Sequence, residues 1–186
     1  MFEVEVCRWV ELGDARRALL ADINHIFFSS SARQTFESEN ARDDFRERWL
    51  GRYLRHHPDN TFVALDGARR VAGYVIGSLD DPARDPLFAD LPFMKDFAGL
   101  TARFPAQLHV NVEAGRRGQG IGARLVEAFA RHAAAAGAAG MHVVTARGMR
   151  NVGFYEANGF REQGALAIGG RELVFLGCEL GPGASR

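Results

Sequence analysis

Residues 116–122 read RRGQGIG, three glycines and two arginines within seven positions. Glycine weakens a helix or strand unless the backbone must take an unusual conformation or something must approach it closely. Upstream, Leu108, Val110 and Val112 alternate with His109 and Asn111, the pattern of a strand. Downstream, Ile121, Leu125, Phe129 and Ala133 recur at helical spacing up to Gly137. A glycine turn between a strand and a helix start exposes amides at the positive end of the helix dipole, where phosphate oxygens bind. Arg116 or Arg117 would add charge-assisted bonds. The plainer alternative is a tight connection with solvated arginines. Gly118-x-Gly120-x-Gly122 lacks the third glycine position of a dinucleotide fingerprint, and no Gly-Lys-Ser/Thr ending makes it a P-loop.

The elements around this turn follow from periodicity. Asp14 is placed to cap a helix over about 15–28, with Leu19, Ile23, Ile26 and Phe27 inward. A second helix follows Ser38, buries Phe45, Trp49, Leu50, Tyr53 and Leu54, and ends at HHPDN. The first strands are TFVALD and VAGYVIGSLD, an antiparallel hairpin over about 61–80. Four prolines interrupt 81–105, a stretch long enough to suggest a functional segment. MHVVT forms a strand, GFYEANGF opens as a short helix, and FREQGALAI with RELVFLGCEL forms a closing hairpin about a Gly-Gly turn.

Composition sets the class. With 186 residues, 47% hydrophobic and 25% charged, the chain suits one domain, 1–186, with 181–186 as a flexible tail. Lys plus Arg equals Asp plus Glu at 23 each, which argues against nucleic acid or an anionic membrane as main partner. Cys7 and Cys178 have no metal-ligand spacing and suit a reducing compartment. With no signal-like start and no apolar run of about 20 residues, a cytoplasmic location is expected. A homodimer is compatible with the sequence.

Arg117-x-x-Gly120-x-Gly122 resembles the signature of the GCN5-related N-acetyltransferase (GNAT) family. FYEANGF at 154–160 resembles the family's Phe/Leu-Tyr-Glu-x-x-Gly-Phe motif. The clear resemblance covers about 105–162, and within the family FPAQLHVNV and MHVV look closest to acetyltransferase-like domains associated with O-GlcNAcase-type proteins.

The resemblance implies an α/β (α+β) fold. Its mixed, mostly antiparallel sheet has about seven strands, the fourth and fifth splayed, with about four flanking helices. It implies acetyl-CoA as cosubstrate and no metal. The pyrophosphate would lie on the amides of Arg117, Gly118, Gln119, Gly120, Ile121 and Gly122, and the pantetheine arm and acyl carbonyl along the backbone of Val110, Asn111 and Val112. Tyr155 would protonate the leaving thiolate or, alternatively, only pack its ring. The family pattern has an Asn seven residues before this tyrosine. Here that place is Gly148, and Asn151 is the nearest amide.

The implied reaction moves an acetyl group to a primary amine of a small molecule or peptide by direct attack in a ternary complex. An alkylamine with a pKa of about 10 needs a base. Glu113 shares the alternation parity of His109 and Asn111 and is the candidate, its alternative being a solvated acid at a strand end. His109 and His142 are candidates for base, substrate contact or interior histidine. The implied acceptor site lies in HIFFSSSARQTF and 81–105, where Phe27, Phe28, Phe36, Phe88, Phe93 and Phe97 form either a pocket wall or core. Two other classes are weighed. One is a non-catalytic acyl-CoA-binding module. The other is a glyoxalase-type metalloenzyme, whose required second repeat is missing.

Overall fold

The computed structural model describes residues 4–181. The expected tail falls almost wholly outside them. The strands are β1 (Glu5–Arg8), β2 (Phe62–Leu65), β3 (Val71–Ser78), β4 (Ala106–Val112), β5 (Gly140–Ala146), β6 (Arg161–Ile168) and β7 (Arg171–Glu179), in the sheet order β1-β2-β3-β4-β5-β7-β6. The helices are α1 (Ala15–Ser30), α2 (Glu39–Arg46), α3 (Arg52–His56), α4 (Phe93–Asp96), α5 (Ala98–Arg103), α6 (Ile121–Ala135) and α7 (Asn151–Ala157). The mixed, mostly antiparallel seven-stranded sheet agrees with expectation, whereas the described residues hold seven α-helical segments in place of about four. Among them no helix is long and apolar enough to cross a membrane.

The backbone forms two compact units, one up to Gly77 plus His109–Phe129, the other Ser78–Leu108 plus Ala130 onwards. In the first, β2 and β3 pair antiparallel and every residue of both is buried. Asp66 closes their hairpin by accepting the amides of Ala68 at 3.0 Å and Arg70 at 2.9 Å. β1, which the sequence reading passes over, pairs antiparallel with β2 from Glu5↔Leu65 to Arg8↔Phe62. Four half-exposed residues carry too little alternation to announce a strand, so it is pairing that defines β1.

The predicted first helix is present as α1, but Asp14 adopts helical backbone angles and makes no side-chain cap. Ser38 does cap α2, its Oγ accepting the Ala41 amide at 3.1 Å. The expected continuous second helix is interrupted by a π-helical turn, Glu47–Gly51. Leu50 and Tyr53 are fully buried, while Phe45, Trp49 and Leu54 are half-buried.

In the second unit, β5 and β6 both pair antiparallel with β7. The β6–β7 turn uses Gly169 and Gly170 at φ 55° and 76°, as a tight hairpin requires. β4 runs parallel to β5 for only two register pairs, Ala106↔Met141 and Gln107↔His142, the expected parting of the fourth and fifth strands. The proline-interrupted segment supplies α4 and α5, whose ends present Phe97 and Phe104 to Phe175 in a buried cluster.

Candidate functional site

In the first unit the chain leaves β4 at Val112, passes a short 3-10 turn at Ala114–Arg116, and enters α6 at Ile121. Gly118 and Gly120 take φ of 78° and 79°, and a Cβ at either would meet no protein atom within 4 Å. The Gly120 carbonyl accepts the first helical bond, from Arg124 at 3.1 Å. Among the described residues, the amides of 117–123 donate to no backbone carbonyl. A run of open amides beneath a four-turn helix is a receptor for an anion.

The two arginines of this turn are committed elsewhere. Arg116 donates to Asp66 at 2.6 Å and to Glu113 at 2.9 Å. Arg117 donates to the Val112 carbonyl and to Ser30 Oγ, both at 3.1 Å. They brace the turn from behind, the reverse of the solvated arginines of the plainer reading. Asp66 is held below the usual carboxylate range by the Arg70 amide first, with help from the Ala68 amide and Arg116.

Val110, Asn111, Val112 and Glu113 are half-buried on the strand that feeds this turn. Asn111 Nδ2 donates to the Tyr74 hydroxyl at 2.9 Å, and burial raises the Tyr74 pKa. The Glu113 amide donates to the Ala72 carbonyl at 3.0 Å, and its carboxylate is 42% exposed beside Arg116. His109 lies 3.1 Å from the Tyr53 hydroxyl through Nε2 and stands edge-on to Trp49 at 5.8 Å between ring centres. Burial, and then the charge of Arg52, push the His109 imidazole down to about 4, so it is neutral near pH 7. Sequence reading assigned Trp49 and Tyr53 to a core stripe. It missed their place against His109 because a π turn shifts the helical phase.

The remaining predicted residues belong to the second unit. Asn151 begins α7, and its Oδ1 accepts the Thr145 hydroxyl at 3.0 Å. Tyr155 is 5% exposed, its ring set between Phe154 at 5.2 Å and Phe160 at 5.3 Å. His142 is buried, bonds the Phe104 carbonyl through Nδ1 and stacks on Phe175 at 4.6 Å, as an interior histidine does. Its register partner on β4 is Gln107. Phe88 and Phe97 are core in this unit, as Phe27 is in the first, which resolves three of the six phenylalanines in favour of packing.

Residues 21–160 match the model of the acetyltransferase (GNAT) family. The chain belongs to that family. The match starts inside α1 and so extends far beyond the 105–162 stretch that carries the sequence resemblance. Solved structures share the GNAT fold. SsHAT superposes with a TM-score of 0.73 at 22% identity, covering 96% of this chain and 99% of its own. An N-acetyltransferase from Staphylococcus aureus Mu50 does so at 0.65 and 16% identity, covering 96% and 99%. The Salmonella typhimurium protein yncA, solved with its cofactor acetyl-CoA, does so at 0.61 and 17%, covering 98% and 96%.

Proposed function

We propose that this GNAT protein transfers an acetyl group from acetyl-CoA to a primary amine of a small molecule or peptide, both reactants being bound together. The observation that carries the reading is the run of open amides at 117–123 beneath α6, with Gly118 and Gly120 bare of side chains on the approach. That the similar yncA was solved with acetyl-CoA supports the choice of anion. In this reading the amides of 117–122 hold the pyrophosphate, and the backbone of Val110, Asn111 and Val112 holds the pantetheine arm and polarises the thioester carbonyl. Asn151 is a further cofactor contact.

The amine nitrogen attacks the thioester carbon, the C–S bond breaks, and the amine proton passes to Glu113 through water. Tyr155 gives its phenolic proton to the departing sulfur and regains one from solvent. A second reading, an acyl-CoA-binding module without turnover, is favoured by one observation: Arg116 already occupies the Glu113 carboxylate. Titration with acetyl-CoA followed by an amine screen for thiol release separates the two. Binding with release supports transfer, binding without release supports the module, and no binding sinks both.

The family match runs through both units, which supports reading the chain as one acetyltransferase domain. Free Cys7 and Cys178 support a reducing, cytoplasmic setting. The finer likeness to O-GlcNAcase-type domains rests on FPAQLHVNV and MHVV alone.

A further inference from the structure

The connection between α1 and α2 carries Arg33, and α2 itself carries Arg42, two arginines that no acid answers. Several surface arginines of the first unit do find carboxylates, as in Arg70 with Asp22, Arg55 with Glu47, Arg69 with Glu5 and Arg8 with Asp59. Arg33 and Arg42 have no such partner among the described residues, and both are exposed. They lie on rings instead. Arg42 sits over Phe28 at 3.8 Å, and Arg33 over Phe36 at 4.8 Å. Phe28 is braced edge-on by Phe27 at 5.0 Å and by Phe36 at 6.0 Å, and Phe36 leans on Phe45 at 5.3 Å. Stacking on a fixed aromatic ladder restrains each guanidinium before any ligand arrives, which lowers the cost of binding one.

Both arginines line a groove of about 570 Å³, together with Phe28, Phe36, Asn24 and Glu39. Two permanent cations against one acid leave an excess of one positive charge, suited to a singly charged carboxylate more than to a phosphate dianion. A planar guanidinium fork matches a carboxylate through two parallel bonds. Side chains also link the groove to β4: Asn24 accepts Arg46 at 2.7 Å, the Arg46 charge acts on Tyr74, and Tyr74 accepts Asn111.

We infer that this groove holds the carboxylate of the acceptor, so that the amines acetylated are amino acids or similar carboxylate-bearing amines and not simple alkylamines or polyamines. The inference rests on the acetyl-transfer reading above and adds the substrate class.

The test uses pairs that differ by the carboxylate: L-lysine and cadaverine, L-tyrosine and tyramine, L-phenylalanine and phenethylamine. Thiol release gives kcat and KM, and calorimetry gives binding to the protein with and without CoA. The expected result is an acid favoured at least about tenfold in kcat/KM over its decarboxylated partner in one pair or more. Arg42→Gln and Arg33→Gln then each raise the KM of that acid about tenfold, the size of one lost charged hydrogen bond, with kcat, CoA affinity and the amine's KM unchanged. The inference is overturned if every amine matches its acid, if the variants weaken both members alike, or if no acid binds. Failure to bind CoA would remove the acetyl-transfer reading instead, and acid binding to the protein alone, lost in Arg42→Gln, would still decide the groove.

Discussion

Two strand-to-helix turns in this chain begin with the same ingredients and end differently. The turn into α6 has Arg116, Arg117, Gly118 and Gly120, and the turn into α7 has Arg147, Gly148 and Arg150. Gly118, Gly120 and Gly148 share nearly the same φ, 78° to 79°. Yet the second turn closes on itself: Met149 donates to the Ala146 carbonyl at 3.2 Å and Val152 to that of Met149 at 3.1 Å. Arg147 is gripped by Glu162 and Glu172. In the first turn the arginines are equally committed, but the amides of 117–123 are not, and the helix beyond has fifteen residues against seven. The lesson is that glycine and arginine content does not make an anion site. Open amides under a long helix are the feature that would make one.

The strongest way to break this contrast is to burden both turns equally. Gly120→Val and Gly148→Val impose the same left-handed strain of about 1–2 kcal/mol, and the Cβ added at either position meets no protein atom within 4 Å. Acetyl-CoA at about a hundredfold excess over Kd should stabilise the wild type by about 2.7 kcal/mol, visible as a rise in Tm. Gly120→Val should abolish that rise and weaken CoA at least about a hundredfold by calorimetry, while Gly148→Val keeps both. Equal CoA affinity in two folded variants would remove the assignment of the first turn.

A second comparison sets backbone against side chain. If the turn into α6 works through amides and α7 through Tyr155, Tyr155→Phe should spare CoA affinity and lower kcat. The ring contacts with Phe154 and Phe160 are kept. General acid help is worth about 10²- to 10⁴-fold, and a thiol of pKa about 8.5 is already a fair leaving group, so a loss near 10² is expected. Weaker CoA binding with unchanged kcat would make Tyr155 a cofactor contact.

The histidine on β4 has a property that pH can expose. His109 folds with its pKa near 4, against about 6.5 when unfolded. The unfolded chain therefore takes up this proton first as pH falls. Its contribution to stability is present above about pH 6.5 and is lost progressively down to about pH 4, about 3 kcal/mol at roughly 1.4 kcal/mol per pH unit. His109→Gln should flatten the Tm profile across that window, whereas a kcat profile with a limb near 6.5 that vanishes in His109→Gln would mean the imidazole titrates normally.

The smallest effect is expected from the cysteines, one in each unit. Burial raises the pKa of both Cys7 and Cys178, which disfavours the nucleophilic thiolate. Cys7→Ser with Cys178→Ser should leave turnover within about twofold and the kinetics sequential. A trapped acyl group on either sulfur in the wild type would overturn direct transfer.

The sequence by itself determined the pieces whose cause is local. The strand alternation of 108–112, the glycine turn after it, the helix that follows Ser38 and the Gly169–Gly170 hairpin depend on residues adjacent in the chain, and each is where the pattern put it, although the cap read at Asp14 is not made. The two short motifs likewise identified the family that the 21–160 match establishes. Only the tertiary structure decided what the charged and aromatic side chains do. Arg116 was free to face a phosphate until Asp66, fifty residues away, and Glu113 claimed it. Tyr53 is core as its spacing reads, yet only the fold, through a π turn, sets it and the half-buried Trp49 against His109. β1 exists because β2 offers it an edge. Backbone conformation answers to neighbours in sequence, whereas a long side chain answers to whichever partner the fold brings within about 3 Å, and no local pattern records that choice.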